Sequence, residues 1–83
     1  MGGIPLPTIL RQGPYRFFFY AADRDEPPHI HVECGDGTAK LWLSPVRLVR
    51  SRGLSPGQLR EVQGLVEEHG GTFRRSWNEY FGG

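Results

Sequence analysis

The sequence predicts an α+β fold, in which a small antiparallel sheet of three to five strands packs against two C-terminal helices. Short aromatic and alternating segments fill the first half of the chain, whereas apolar residues recur at helical spacing in the second half. An Asp-Gly pair at residues 36–37 lies between two alternating runs, a pattern typical of a β-hairpin. Strands followed by helices indicate the α+β class, and 83 residues predict a single domain over 1–83.

The first two predicted strands lie on either side of a Gly-Pro turn at residues 13–14. The earlier strand is short and runs from Thr8 to Arg11. The later strand, Tyr15 to Tyr20, is aromatic at five of its six positions. Because this run is too short for a helix and offers rings to both faces, we expect it inside the sheet and covered on both sides.

The predicted hairpin joins a third strand, His29 to Cys34, to a fourth, Thr38 to Leu43. A two-residue turn at 36–37 would place Glu33 directly opposite Lys40, as a pair of opposite charges. This register gives one apolar face and one polar face that carries the histidines. A slip by one residue would bury the polar face instead.

The second half of the chain predicts two helices. Val46 to Val49 fits either a short edge strand or a turn of helix. Ser55 begins a capping box, and a helix from Pro56 to His69 follows it. The glycines at 70–71 end that helix, and Thr72 is the predicted cap of the next. Four aromatic residues share one face of this last helix: Phe73, Trp77, Tyr80 and Phe81.

Composition predicts a cellular compartment. Cys34 is the sole cysteine, which excludes an intrachain disulfide and a cysteine-rich zinc site. The first ten residues lack the basic and apolar segments of a secretion signal. No segment approaches the roughly 20 apolar residues of a membrane span. We therefore expect a cytoplasmic protein that does not enter a membrane.

Charge is unevenly distributed along the chain. The formal net charge is only +1, which is low for a dedicated nucleic-acid coat protein. Residues 44–60 nevertheless contain four arginines and no acid, whereas 23–26 is mostly acidic. Arginine suits phosphate and carboxylate recognition, although a GC-rich coding sequence produces the same enrichment. The candidate residues for binding nucleic acid or a partner are Arg47, Arg50, Arg52, Arg16 and Lys40.

A His-x-His pattern is the main chemical feature of the chain. His29 and His31 lie two positions apart, so a β-strand would project both imidazoles from one face. With a carboxylate they would suit Zn²⁺ or another divalent cation, which could activate water for hydrolysis. We take Glu26 as the third metal-binding and catalytic candidate beside the two histidines. Other sources of that ligand are Asp23, Asp25 and His69.

A structural role for the same residues is the alternative. In the predicted register His31 would pack on Trp42, while Glu33 would pair with Lys40. The histidines would then hold the sheet together without metal or catalysis.

Four motifs occur in a characteristic order: Tyr-Arg-Phe-Phe-Phe-Tyr at 15–20, Glu-Pro-Pro-His-Ile-His-Val at 26–32, Lys-Leu-Trp-Leu at 40–43 and Trp-Asn-Glu-Tyr-Phe at 77–81. In order and spacing they resemble the bacterial domain-of-unknown-function family 4160, over nearly the whole chain. The resemblance implies a small cytoplasmic prokaryotic protein, often encoded beside another small protein in an arrangement similar to toxin-antitoxin pairs. It brings no established catalytic residue.

Two functions follow as expectations. The first is an interaction module, one component of a two-gene toxin-antitoxin-like or regulatory pair, which binds a cognate small protein and in addition could bind nucleic acid. It rests chiefly on the resemblance, and a homodimer is compatible with so small a core. The alternative is a metal- or histidine-dependent nuclease or phosphodiesterase centred on His29 and His31. The sequence leaves open whether the protein is an enzyme.

Overall fold

The computed structural model describes residues 7–82, which form one five-stranded antiparallel sheet followed by two helices. The strands are neighbours in chain order, so each pairs with the one before it. The predicted α+β class is confirmed. The elements are β1 (Leu10–Gln12), β2 (Tyr15–Phe18), a 3₁₀ turn (Ala21–Asp25), β3 (His29–Cys34), β4 (Gly37–Leu43), β5 (Val46–Arg52), α1 (Pro56–Glu68) and α2 (Gly70–Phe81).

Alternation along the strands divides the sheet into two faces. Both helices pack on what we call the covered face, which is apolar and carries Phe17, Ile30, Val32, Ala39, Leu41 and Leu43. Its core is completed from the helices, where Val62, Val66 and Phe73 are fully buried. The opposite face, here called the open face, carries Arg16, Phe18, His31, Glu33, Lys40 and Trp42. The β2 strand is interior, as predicted, but helices cover it on one side only.

The predicted hairpin is present, but its register was wrong by two residues. The turn lies at Gly35 and Asp36, so Cys34 pairs with Gly37 and Glu33 with Thr38. Gly35 has φ +57°, whereas no residue other than glycine has a positive φ within 7–82; this combination is typical of a type II′ turn. A shift of two residues preserves side-chain parity, so the predicted composition of the two faces is nevertheless correct.

The ambiguous segment after residue 45 is a strand, β5, and it forms one edge of the sheet. Pairing with β4 is interrupted between Lys40 and Leu41, where Val49 is the extra residue on β5. On either side of this β-bulge, Arg50 pairs with Lys40 and Leu48 with Leu41. Because the bulge adds one residue to β5, odd-numbered residues before Val49 project from the same face as even-numbered residues after it.

The two helices are joined more tightly than predicted. The capping box of α1 is confirmed, since the Ser55 hydroxyl accepts from the Gln58 N–H and the Gln58 side chain accepts from the Ser55 N–H. The prediction that Thr72 caps α2 was wrong. The helix begins at Gly70, and the Phe73 N–H already donates to the His69 carbonyl at 3.0 Å. Within residues 7–82, neither helix is both long and apolar enough to cross a membrane.

Candidate functional site

Three chemically active side chains meet at the start of β3: Asp23, His29 and His31, here called the Asp-His cluster. The histidines alternate along the strand and therefore project from the same face. Asp23 comes from the 3₁₀ turn, and its Oδ2 accepts the Tyr20 N–H at 2.8 Å. That bond holds the turn against the sheet and directs the carboxylate towards both rings.

The geometry of the Asp-His cluster is compact. Oδ1 of Asp23 lies 3.1 Å from Nε2 of His29, and Oδ2 lies 3.1 Å from Nε2 of His31. One ligand atom from each residue lies within 4.8 Å of the others. His29 has no exposed side-chain surface, whereas the side chain of His31 is 12% exposed. The cluster is thus buried, with His31 on the side nearer solvent.

Second contacts orient the two rings. The Nδ1–H of His29 donates to the Pro27 carbonyl at 2.9 Å, and a carbonyl oxygen can only accept. The ring of His31 stacks on Phe18 and meets Tyr20 edge-on. Burial lowers the pKa of His31 below its ordinary value, although the adjacent Asp23 carboxylate opposes this effect. The neutral form of His31 is therefore favoured, and this form has one nitrogen lone pair that can bind a metal ion or accept a proton.

Asp23 lies beside the two histidines, at the position that the sequence predicted for Glu26. Glu26 lies outside the Asp-His cluster, because its Oε1 accepts from Nζ of Lys40. This hydrogen bond lowers the pKa of Glu26. Asp23 takes the place assigned to Glu26, and it was among the alternatives. No pattern in the sequence distinguishes the acids of 23–26, since the conformation of the 3₁₀ turn decides which of them points inwards.

The other predicted contacts of the polar face also change with the register. Glu33 accepts from Nε of Arg16 at 2.7 Å rather than from Lys40, and this lowers the pKa of Glu33. Trp42 packs edge-on against His29, at 5.7 Å between ring centroids, instead of against His31. Of the other suggested ligands, Asp25 is exposed and His69 packs near Phe73 on the helical side.

The arginines of β5 form a second feature, here called the arginine strip: Arg47, Arg50 and Arg52. They pair with Trp42, Lys40 and Thr38 respectively, so all three project from the open face. Simple alternation would have put Arg47 on the opposite face from the other two. The β-bulge brings them together, and all three are exposed. In residues 7–82 no carboxylate forms an ion pair with any of them.

A cavity of about 580 Å³ joins the two features across the open face. The arginine strip contributes Arg50 and Arg52 to its lining, and the Asp-His cluster contributes His31. Lys40 lies between them, buried and paired with Glu26, so its charge is already matched. The remaining predicted binding residue, Arg16, is likewise engaged with Glu33. Of the predicted binding residues, those of the arginine strip are therefore the ones without an ion pair among residues 7–82.

Aromatic residues are divided between the two faces. Tyr15 is buried in the core, where its hydroxyl donates to Glu61 at 2.6 Å. Tyr20 lines the cavity and is half-buried. Trp42 is half-buried on the open face under the Lys40 ammonium group. Tyr20 and Trp42 thus lie on the face that carries the arginine strip.

The fold and site together define a small α+β domain with a cationic open sheet face and a buried Asp-His cluster. Comparison with known protein families gives a match to the family described as Domain of unknown function (DUF4160), over residues 15–78. The chain belongs to this family. No curated protein and no solved structure matches it significantly.

Proposed function

We propose that this protein is an interaction module that binds an acidic, extended segment of a small cognate protein along β5. The observation that carries the proposal is that β5 is an edge strand and also carries the arginine strip. The β5 strand has seven residues, pairs only with β4 among residues 7–82, and carries the arginine strip on one face. An edge strand offers main-chain N–H and C=O groups to an added strand, a common mode of peptide recognition.

Side chains on β5 support an added strand of opposite charge. Leu48 and Val49 are 37% and 36% exposed, so a partner strand would remove apolar surface from water. Carboxylates on that strand would meet the arginine strip, and guanidinium groups bind carboxylates in a bidentate manner. Charge complementarity of this kind chiefly sets specificity and association rate.

The same charges disfavour a second copy of this chain as the occupant. Two β5 strands paired about a two-fold axis perpendicular to the sheet would have their open faces on the same side. Each arginine strip would then lie next to the other, and like charges on neighbouring strands are destabilising. An acidic partner relieves this repulsion.

The decisive experiment measures binding of the small protein that the family resemblance implies is encoded beside this one. Isothermal titration calorimetry would compare the wild type with Arg50→Glu/Arg52→Glu and with the control Arg60→Glu/Arg75→Glu. Both double variants change the net charge equally, but Arg60 and Arg75 lie on exposed helix surface. We expect the β5 variant to lose binding and the helix variant to retain it.

Hydrogen exchange adds a readout of the binding mode. Amides of Val46–Arg52 should become protected when the partner binds, because an added strand occupies the free edge. Equal loss of affinity in both double variants would contradict the proposal, as would unchanged exchange along β5. A third outcome is that the protein binds single-stranded RNA but not the small protein, and that the β5 variant loses RNA binding. In that case the partner would be nucleic acid rather than a protein.

A second candidate is a histidine-dependent nuclease or phosphodiesterase. It is favoured by one observation, that His31 and the arginines at positions 50 and 52 line the same cavity. A phosphate bound by the arginines would lie in the same cavity as the His31 imidazole, a group suited to general acid-base catalysis. The test is turnover of single-stranded RNA and DNA, with and without divalent cations, by wild type, His31→Gln and His69→Gln. Turnover lost only in His31→Gln would support it, and equal turnover in all three would exclude it.

A further inference from the structure

The buried nitrogen of His29 has no hydrogen-bond partner. Because the Nδ1 position donates to Pro27, a neutral ring carries its lone pair on Nε2. That atom is buried and forms no hydrogen bond, although Oδ1 of Asp23 lies only 3.1 Å away. A lone pair facing a carboxylate oxygen in a buried site is unfavourable. A cation between the two atoms turns this repulsion into two favourable contacts.

The surrounding donor set matches that of a transition-metal site. Zinc binds imidazole nitrogen and carboxylate oxygen at about 2.0 to 2.2 Å. Tetrahedral ligands at those distances are separated by about 3.3 to 3.6 Å, so the 3.1 Å separations here need only a small expansion. Two imidazoles and one carboxylate favour Zn²⁺ over Mg²⁺ and Ca²⁺, which prefer all-oxygen sites.

Supporting contacts of the kind found around metal ligands are already in place. Metal-binding histidines usually donate their other ring N–H to a carbonyl or carboxylate, as His29 does to Pro27. The carboxylate of Asp23 is itself held by the Tyr20 N–H. His31 lines the open-face cavity, which provides a route for a cation to enter.

We propose that Asp23, His29 and His31 form a binding site for one divalent transition-metal ion of the Zn²⁺ type. The ion would connect the 3₁₀ turn to β3, since Asp23 belongs to the turn and both histidines belong to the strand. Three protein ligands leave a further coordination position for water or a ligand. The site needs neither the partner nor the arginine strip, so it goes beyond the proposed function and stands independently of it.

The test begins with tag-free protein stripped of metal by a chelator. Isothermal titration with ZnCl₂, and separately with MgCl₂, measures stoichiometry and affinity, while CoCl₂ gives a visible spectrum that reports coordination geometry. We expect one Zn²⁺ per chain, a raised Tm, and no comparable binding of Mg²⁺. Asp23→Asn and His31→Gln should each weaken Zn²⁺ binding by about tenfold or more.

The matched control is His69→Gln. Like His29, His69 has a buried Nε2 without a hydrogen-bond partner, but it lies outside the Asp-His cluster. This variant should bind Zn²⁺ as the wild type does, and so should Arg50→Glu/Arg52→Glu. Circular dichroism confirms that each variant is folded, and if Asp23→Asn is not, His31→Gln decides. Failure of the wild type to bind Zn²⁺ would overturn the proposal, as would wild-type affinity in the folded cluster variants.

Discussion

The covered face and the open face of the sheet both bury side chains, but they do so by different means. On the covered face, helices supply the burial: Phe17 and Phe73 are fully buried with ring centroids 5.2 Å apart. On the open face, side chains cover one another. Phe18 is buried beneath the Arg16 guanidinium, which lies 4.1 Å from its ring centroid.

This difference separates stability from chemistry. Burial by helices removes apolar area from water and is the main source of folding free energy. Asp23 and Lys40 are buried while keeping polar partners. His29 is buried between Asp23 and the rings of Trp42 and Trp77. Such groups contribute little net stability, but they are suited to binding cations and anions. Changes on the covered face should therefore cost most, and changes on the open face should mainly affect ligands.

The largest loss of stability is expected from removing α2, one of the two helices that pack on the covered face. A chain that ends at Gly71 lacks α2, and with it the buried Phe73 and Trp77. Loss of a buried Phe or Trp side chain alone typically costs about 3 to 5 kcal/mol, and domains of this size have about 5 to 15 kcal/mol in total. We expect the truncated chain to be unfolded by circular dichroism. A cooperative thermal transition in the truncated chain, comparable to that of a chain ending at Gly82, would contradict this.

Two glycine-to-alanine substitutions should change the free energy of unfolding in opposite directions, depending on whether the glycine is packed or exposed. A Cβ at Gly37 would lie 2.7 Å from the Gly53 carbonyl oxygen and 2.5 Å from the Leu54 side chain, so Gly37→Ala should cost about 1 to 3 kcal/mol. A Cβ at Gly64, on the solvent side of α1, meets nothing within 4 Å. Gly64→Ala should therefore stabilise the protein by about 0.5 to 1 kcal/mol. Urea denaturation of both variants would show the difference, and destabilisation by Gly64→Ala would contradict it.

Gly37 also shows why the hairpin was predicted correctly in kind but not in register. Asp-Gly is a common turn pair, so the sequence favoured residues 36–37 for the turn. The structure instead packs Gly37 against Leu54, at a distance that a larger residue would not permit. This constraint comes from Leu54, which is distant from the turn in the chain, and leaves no local signal. Alternation of side chains is local, and it correctly identified both faces.

The Asp-His cluster was predictable in part for the same reason. The two histidines follow from strand alternation, which the sequence shows directly. Asp23 depends on the 3₁₀ turn, whose conformation is set by its contacts with β3. The arginine strip required knowledge of the β-bulge at Val49, since regular alternation would separate Arg47 from its two neighbours. Features that depend on periodicity were found, and features that depend on a break in periodicity were not.

A smaller effect is expected from the hydrogen bond that ties Tyr15 of β2 to Glu61 of α1. The hydrogen bond to Glu61 and burial raise the pKa of Tyr15 to about 12, from an ordinary value of 10.0. Because the folded-state pKa is the higher one, this contribution is complete below pH 10.0 and is lost as the pH rises towards 12. Tyr15→Phe should cost about 1 to 2 kcal/mol at neutral pH. It should also flatten the alkaline decline in unfolding free energy; an unchanged decline would contradict the assignment.

The smallest effect should come from the Arg16–Glu33 ion pair on the open face. Its side chains are 19% and 42% exposed, so solvent screens the pair and a double-mutant cycle should give about 0.2 to 1 kcal/mol. The hydrogen bond from Arg16 lowers the pKa of Glu33 below its ordinary 4.5, so the pair stabilises the fold above that pH and is lost as the pH falls through the lowered pKa. Glu33→Gln should reduce this acid dependence, whereas Glu67→Gln, an equal charge change on exposed α1 surface, serves as the control. A coupling energy larger than that of the Tyr15–Glu61 contact would mean that the open face contributes to stability as the covered face does, and the division between the two faces would fail.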